Sequence, residues 1–294
     1  MTDKTALFES QRPALTALCY RMLGEVAAAE DAVQDTWLRW SQTSADTVHN
    51  PHSWLRKVAT NIAIDALRSA RARRETYVGP WLPEPLLQSD ITAESPFVMA
   101  QECELALLWA MERLTETERA AFILREAFDA GYAEIAETLG RSEAACRQLV
   151  SRAHKHLQAA GPRYDAPPQD VAALIARFSA AIAAQDHAET LSIMAPDAIA
   201  ISDGGATVRA ARRPLIGPLE ILHVYSSVLQ RKSKPDLTPT FVVANAQPAL
   251  ALSRNGRLTN LLTLALDDAG LIRWVYTMRN PEKLTPHRFA TIVE

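Results

Sequence analysis

The sequence predicts a multidomain chain, with two all-α domains followed by one α+β domain. Three observations predict it. Apolar residues recur at helical spacing through residues 1–75 and again from about Pro96 to Ala159. Proline- and glycine-rich stretches at 77–85 and 161–168 interrupt that pattern where no helix can continue. Beyond them the pattern becomes short β-rich runs separated by turn signals, the order of elements expected of an α+β domain. The 294 residues suit two or three such domains.

Composition narrows the class. With 48% hydrophobic residues and a formal net charge of −3, the chain is globular, and any nucleic-acid surface must be local. Cys19, Cys103 and Cys146 lie far apart without metal-ligand spacing, so neither a disulfide framework nor a metal site is expected, and a reducing cytoplasm is the expected compartment. The opening MTDKTALFES has no apolar signal core, and no stretch approaches eighteen uninterrupted apolar residues. No membrane association is expected.

The first helical stretch carries two faces of interest. Val33, Thr36, Trp37 and Trp40 follow one side of a helix, while Asp31, Gln34, Asp35 and Leu38 follow another. On pattern alone the second stripe reads as an ordinary solvated face, although an acidic stripe with one apolar residue also suits a basic protein partner. Over 54–74, Leu55, Val58, Ala59, Ile62 and Ala66 share one side, and Trp54, Lys57, Asn61, Asp65 and Arg68 fall near the other. An aromatic beside cations and amides is what single-stranded DNA binding uses, whereas a lone tryptophan is also a common core residue.

Residues 115–157 are more specific. Thr115-Glu116-Thr117-Glu118 is a capping box opening a helix with Ala121, Leu124 and Phe128 on one face. A second helix carries Tyr132, Ile135, Ala136 and Leu139, Gly140 suits its left-handed terminus, and Ser142 suits the next N-cap. That is a helix-turn-helix. In the last helix Cys146, Leu149, Val150, Ala153 and Leu157 form the packed side. Arg147, Gln148, Ser151, Arg152 and Lys155 form the other, with side chains suited to base edges and phosphates. The alternative is a solvated face on an ordinary helical hairpin.

The stretches AEDAVQDTWLRW, HSWLRKVATNIAIDALRSARARRE and YAEIAETLGRSEAACRQLVSRAHKHL resemble, in order and spacing, the signature segments of sigma factor regions 2 and 4. The resemblance covers about residues 5–160 and points to the compact extracytoplasmic-function class. It implies that Asp31, Gln34, Asp35 and Leu38 dock on the β′ clamp helices of core RNA polymerase. It also implies that Trp54, Lys57, Asn61, Asp65 and Arg68, with the loop around His49–His52, meet melted −10 promoter DNA. Ser142, Arg147, Gln148, Ser151, Arg152 and Lys155 would then read the −35 element.

Past residue 168 the runs 198–202, 240–246, 249–253, 258–266 and 271–278 read as an antiparallel sheet with a helix near 218–230. This part resembles a SnoaL-like cone of the nuclear-transport-factor-2-like superfamily. VGPWLPEP, SDGGA and NPEKL are similar to marks of the sigma subgroup often called SigJ-like, in which DGGG is usual. Ala206 here replaces the third glycine, where alanine would resist a positive φ. The implied layout is region 2 at 1–76, a linker with the WLPEP motif at 77–95, region 4 at 96–160 and the SnoaL-like domain at 168–294. The implied regulatory contacts are Trp81, Leu82, Pro83, Asp203, Gly204, Gly205, Asn280, Pro281, Glu282, Lys283 and Leu284. The expected function is promoter recognition and transcription initiation, without catalysis or cofactor, by a chain that is a monomer when free and is regulated in cis by its own cone. Because cyclases and isomerases with Asp–His pairs share the cone, the alternative expectation is a bifunctional protein whose cone has small-molecule cyclase or isomerase activity; Asp203, His187 and His223 are the residues on offer, although no spacing brings them together. An unidentified small ligand in the cone fits either.

Overall fold

The protein is described by a computed structural model covering residues 4–44, 47–88, 91, 94–159, 166–231 and 237–284. Contacts divide the chain into two compact units. One gathers residues 1–76, 91–103 and 107–160, and the other gathers 77–90, 104–106 and 161–294. The break expected at Gly161-Pro162 and the tail after Leu284 lie outside the described residues.

The first unit is all helical: α1 (Lys4–Leu23), α2 (Val26–Gln42), α3 (Pro51–Arg74), α4 (Leu105–Met111, from its third residue), α5 (Glu116–Phe128), α6 (Tyr132–Leu139) and α7 (Glu143–Ala159). Phe8, Leu18, Tyr20, Val33, Trp40, Leu55 and Leu67 from the first three helices are buried together. Asn50 starts α3 by accepting a hydrogen bond from the Ser53 amide at 3.1 Å, and Pro51 takes the first helical position, where its missing N–H costs nothing.

Helical periodicity from Pro96 predicts a helix that does not form there. Residues 96–103 instead make successive tight turns, with Val98 N to Ser95 O at 3.1 Å and Ala100 N to Phe97 O at 2.9 Å. The same apolar spacing buries Phe97, Ala100 and Cys103 from these turns, and Phe97 meets Tyr20 edge-on at 6.3 Å. The expected helix begins only at Leu105.

The helix-turn-helix follows its local code. Thr115 Oγ1 accepts from the Glu118 amide at 3.3 Å while Thr115 N donates to Glu118 Oε2 at 3.0 Å, completing the capping box before α5. Such a cap contributes ~1 kcal/mol. Gly140 ends α6 at φ 62°, and Ser142 Oγ accepts from Ala145 N at 3.2 Å to open α7. Cys146, Leu149, Val150, Ala153 and Leu157 are buried as the spacing predicts.

The second unit contains α8 (Pro168–Ala184), α9 (His187–Ser192), β1 (Met194–Asp203), β2 (Leu215–Ile216), α10 (Pro218–Arg231), β3 (Leu237–Ala244), β4 (Gln247–Arg254), β5 (Arg257–Leu266) and β6 (Ile272–Met278). The six-stranded sheet runs β2-β1-β6-β5-β4-β3. It is mixed rather than antiparallel, because β1 and β6 pair in parallel. Those two strands are joined through the whole intervening β2–β5 segment, so no hairpin dictates their relative direction. The β3–β4 turn corrects a second expectation. Ala246, read as strand, sits with Asn245 in the left-handed region (φ 59° and 51°), as a two-residue hairpin turn requires.

Helices cover one face of this sheet: Val171, Ile175 and Phe178 of α8 and Ile221 of α10 pack on Leu250, Leu264 and Val275. The register pairs Leu261 with Met278, Thr263 with Tyr276 and Ala265 with Trp274 on the opposite face, and these residues are buried as well. A strand buried on both faces needs a second cover, and here part of that cover comes from the segment before α4.

Candidate functional site

On α2 the four residues of the acidic stripe share the solvent side. Asp31, Gln34 and Asp35 are exposed, and Leu38 is 48% exposed, while Val33, Thr36 and Trp40 are buried. The stripe thus leaves one large apolar side chain in water beside two carboxylates.

On α3 the described partners differ along the helix. Trp54 is half-buried and lies 5.4 Å from Trp40, ring centre to ring centre, so it is partly a packing residue. Lys57 pairs with Glu137 at 3.2 Å, Asn61 donates to the carbonyl of Thr138 at 3.4 Å, and Arg68 pairs with Asp65 at 3.3 Å. His49 and His52 are exposed. On α7, Arg147, Gln148, Ser151, Arg152 and Lys155 all face solvent. Arg147 is braced by Glu143 at 2.8 Å and lies 4.9 Å from the Tyr132 ring, and Arg152 sits 3.4 Å from Glu118. These arginines are steadied by acidic or aromatic neighbours and remain accessible to solvent.

The residues of the second unit converge on a linker clamp. Asp203, at the end of β1, is fully buried and accepts from Tyr77 Oη at 2.6 Å, Leu82 N at 2.9 Å, Gly205 N at 3.0 Å and Lys283 Nζ at 2.8 Å. Lys283 also donates to the Leu82 carbonyl at 2.5 Å and lies 4.1 Å from the Trp81 ring centre. Asn280 donates to Tyr77 Oη at 2.9 Å and accepts from Glu282 N at 3.0 Å. Burial, then the hydrogen bond to Asp203, pushes the Tyr77 hydroxyl above its ordinary range, so it stays a donor. One carboxylate thus holds the linker backbone, the turn after β1 and the turn after β6 together.

The two glycines are required by this packing. A Cβ on Gly204 would stand 2.2 Å from the Val208 carbonyl oxygen, and one on Gly205, already at φ +59°, would stand 2.8 Å from the Asn280 side chain. Ala206 is exposed and is not among the residues with positive φ, so the alanine that replaces a glycine there meets no backbone penalty.

Farther along, Leu86 N donates to Asn245 Oδ1 at 2.8 Å, Asn245 N returns a bond to Leu86 O at 2.9 Å, and Leu87 bridges to Ala244. Trp81, Leu82, Leu86 and Leu87 are all buried. Each such leucine contributes ~1.5–3 kcal/mol of gross burial, so residues 81–87 belong to the core of this unit. A cavity of ≈ 20 Å³ remains between Leu82, Pro83, Pro85 and Leu105 and the sheet residues Leu261, Thr263, Tyr276 and Met278. That is room for one water, far below the few hundred Å³ of a small-molecule site.

Asp203 has no histidine among its hydrogen-bond partners in the described residues, and His187 and His223 are exposed. The Asp–His pair of an isomerase-type site is not assembled. The three cysteines are free and buried, and no group of metal-ligating side chains occurs among the described residues. No helix among them is long and apolar enough to cross a membrane.

Several interacting residues carry no mark in the sequence. Asn245 sits in a turn without glycine. Glu112 and Arg119 look like surface charges on helices, yet Arg119 is fully buried, donating to the Arg21 carbonyl at 2.9 Å and pairing with Glu112, which also pairs with Arg74. Tyr77 lies in the linker motif, but nothing local indicates that its hydroxyl reaches Asp203.

Comparison with known proteins agrees with this geometry. The model of sigma-70 region 2 matches residues 7–73, and that of sigma-70 region 4 matches residues 104–157. The helical regions therefore define a sigma-70-type transcription initiation factor. The chain is 39% identical over 229 residues to the ECF RNA polymerase sigma factor SigJ of Mycobacterium tuberculosis, covering 76% of this chain and 72% of that one. It is 27% identical over 286 residues to the probable ECF sigma factor SigI of the same organism, covering 97% and 96%. The crystal structure of M. tuberculosis SigJ superposes with a TM-score of 0.75 at 29% identity, covering 95% of this chain and 97% of that one. The chain belongs to the extracytoplasmic-function (ECF) RNA polymerase sigma factors. It is an initiation factor and not an enzyme, and it acts with RNA polymerase at promoter DNA.

Proposed function

We propose that this sigma factor docks on the polymerase clamp through Asp31, Gln34, Asp35 and Leu38, and captures −10 DNA on the Trp54–Lys57–Asn61–Asp65–Arg68 face. It reads the −35 duplex through Ser142, Arg147, Gln148, Ser151, Arg152 and Lys155, and its α+β domain regulates it in cis through the linker. The observation that carries the regulatory part is the burial of the linker on Asp203, Lys283 and Asn245. Residues 77–87 lie on the covalent path from region 2 to region 4. Glu104, at the start of region 4, is also tied to Gln247 at 2.5 Å. Released, the 77–104 stretch could extend to roughly 95 Å, and held, it keeps the two promoter-reading regions on short tethers. A domain that holds the linker therefore biases an equilibrium between a restrained and a promoter-spanning arrangement.

Run-off transcription with core RNA polymerase tests this by comparing the full chain with one ending at Pro167. Initiation by both at different rates is expected, and equal rates with equal promoter affinity would remove the regulatory reading. In the same assay Leu38→Asp is expected to weaken core binding about tenfold, as loss of an interface anchor does. Arg147→Ala and Arg152→Ala should each cost ~1–3 kcal/mol of promoter discrimination, read by gel shift on the −35 duplex. Retention of full affinity by both variants would move the reading surface elsewhere.

A further inference from the structure

The first residue of α6, Tyr132, sits where α5, α6 and α7 meet. The guanidinium of Arg147, on α7, lies 4.9 Å from the Tyr132 ring centre, and that of Arg125, on α5, lies 5.3 Å from the same centre. Both are within the ~6 Å over which a ring face attracts a cation. A flat guanidinium stacks on such a ring and still presents its N–H groups at the edge.

Two cations over one ring repel each other unless each has a countercharge. Arg147 has Glu143 at 2.8 Å, one turn earlier on α7, and Arg125 has Asp129 at 3.6 Å. Arg125 also donates to the Ala130 carbonyl at 3.1 Å. Both partners of Arg125 lie in the turn 129–131 that joins α5 to α6, so Arg125 clasps the turn that delivers Tyr132. The backbone there is fixed as well: Asp129 takes the left-handed conformation at φ 47°, and Ala130 N bonds Leu124 O at 2.9 Å. The ring is therefore placed from the α5 side and acts on α7.

Packing accounts for only part of this ring. Tyr132 is half-buried, whereas Ile135 and Thr138 farther along α6 are buried. The Arg147 side chain is 56% exposed. A long side chain in water loses rotamer freedom when it engages a base, and one already held on two sides loses less. Glu143 fixes where the charge sits. The ring fixes the plane of the guanidinium, and the plane decides whether two N–H groups can meet one base edge. Arg152 is braced differently, by Glu118 at 3.4 Å.

Resting on the assignment of Arg147 to the −35 duplex, we propose that Tyr132 is a positioning residue for promoter reading. Its ring, set in place by Arg125 and the 129–131 turn, orients the Arg147 guanidinium for a bidentate contact with a base edge. Tyr132 acts through Arg147 and not on the DNA.

The test uses the full chain with core RNA polymerase on a promoter that supports run-off transcription, and on duplexes with each −35 base pair replaced in turn. Tyr132→Leu keeps apolar bulk without the ring. It is expected to lower discrimination about two- to fivefold, the worth of one exposed cation–ring contact, and only at the base pairs where Arg147→Ala lowers it. Tyr132→Phe should keep the wild-type preference. In an Arg147→Ala background, Tyr132→Leu should change nothing further at those base pairs. A loss spread evenly over every duplex, and persisting without Arg147, would mean a packing role and overturn the proposal. A loss in Tyr132→Phe equal to that in Tyr132→Leu would overturn it too, since the hydroxyl would then be the working group. If Arg147→Ala lowers discrimination and Tyr132→Leu does not, positioning is overturned and the −35 reading stands. If Arg147→Ala changes no base preference, the −35 assignment of Arg147 falls and takes the role of Tyr132 with it.

Discussion

Replacing Asp203 by alanine is expected to destabilise the α+β unit by about 3–5 kcal/mol and to free the linker. The size follows from what is left behind. Asp203 is fully buried and receives four hydrogen bonds, one of them from the Lys283 ammonium, which is itself 8% exposed. Without the carboxylate, that ammonium keeps the Leu82 carbonyl and the Trp81 ring but has lost its ion pair with Asp203. Hydrogen exchange reads the effect locally: the Leu82 amide, bound to Asp203 at 2.9 Å, should lose most of its protection. Removing both charges, as Asp203→Asn with Lys283→Met, should cost less than the sum of the single changes, because the two groups are directly coupled. If Asp203→Ala frees the Leu82 amide but leaves the run-off rate unchanged, the clamp is structural only. If the rate shifts toward that of the chain ending at Pro167, the clamp is the regulatory element.

Glu112→Gln should have a comparable cost in the helical unit, again about 3–5 kcal/mol, a large fraction of the 5–15 kcal/mol typical of a domain. Glu112 stands between Arg119, which is completely buried, and Arg74. Burial alone would raise its carboxyl, but Arg119 and Arg74, with Arg71 behind them, outweigh burial and hold it below the ordinary range. The sign follows. A folded-state value below the unfolded one adds stability that is complete above about pH 4.3 and is lost as pH falls through the folded value. Far-UV circular dichroism melts of the wild-type chain should therefore lose stability in that acid window, and Glu112→Gln should be less stable at neutral pH with a flatter acid dependence. A wild-type melting temperature matched by the variant at neutral pH would show that the pair contributes nothing net.

Legibility in the sequence followed the range of the interactions. The helix-turn-helix was readable residue by residue because its signals act within a few positions: Thr115 with Glu118, Gly140 at its positive φ, and Ser142 with Ala145. The exposed stripe on α2 and the packed side of α7 were readable for the same reason, since helical spacing alone separates wet from dry. Apolar spacing misled at 96–103, because three buried side chains on successive turns leave the same pattern as a short helix. The β3–β4 turn was missed because Asn245 and Ala246 adopt left-handed conformations without a glycine to announce them.

The sequence by itself determined the order of the elements, the caps and turns that bound them, and the family, since those depend on neighbours in the chain and on motifs kept in register. Only the tertiary structure decided that β1 and β6 run parallel, that the WLPEP segment is core rather than tether, and that Asp203 and Glu112 are charge centres reaching partners far away in the chain, Lys283 and Arg74 among them. A buried ion pair and a parallel strand pairing are contacts between segments that share no local pattern. Their residue types are the same as those of ordinary solvated charges and strands, and only the packing tells them apart.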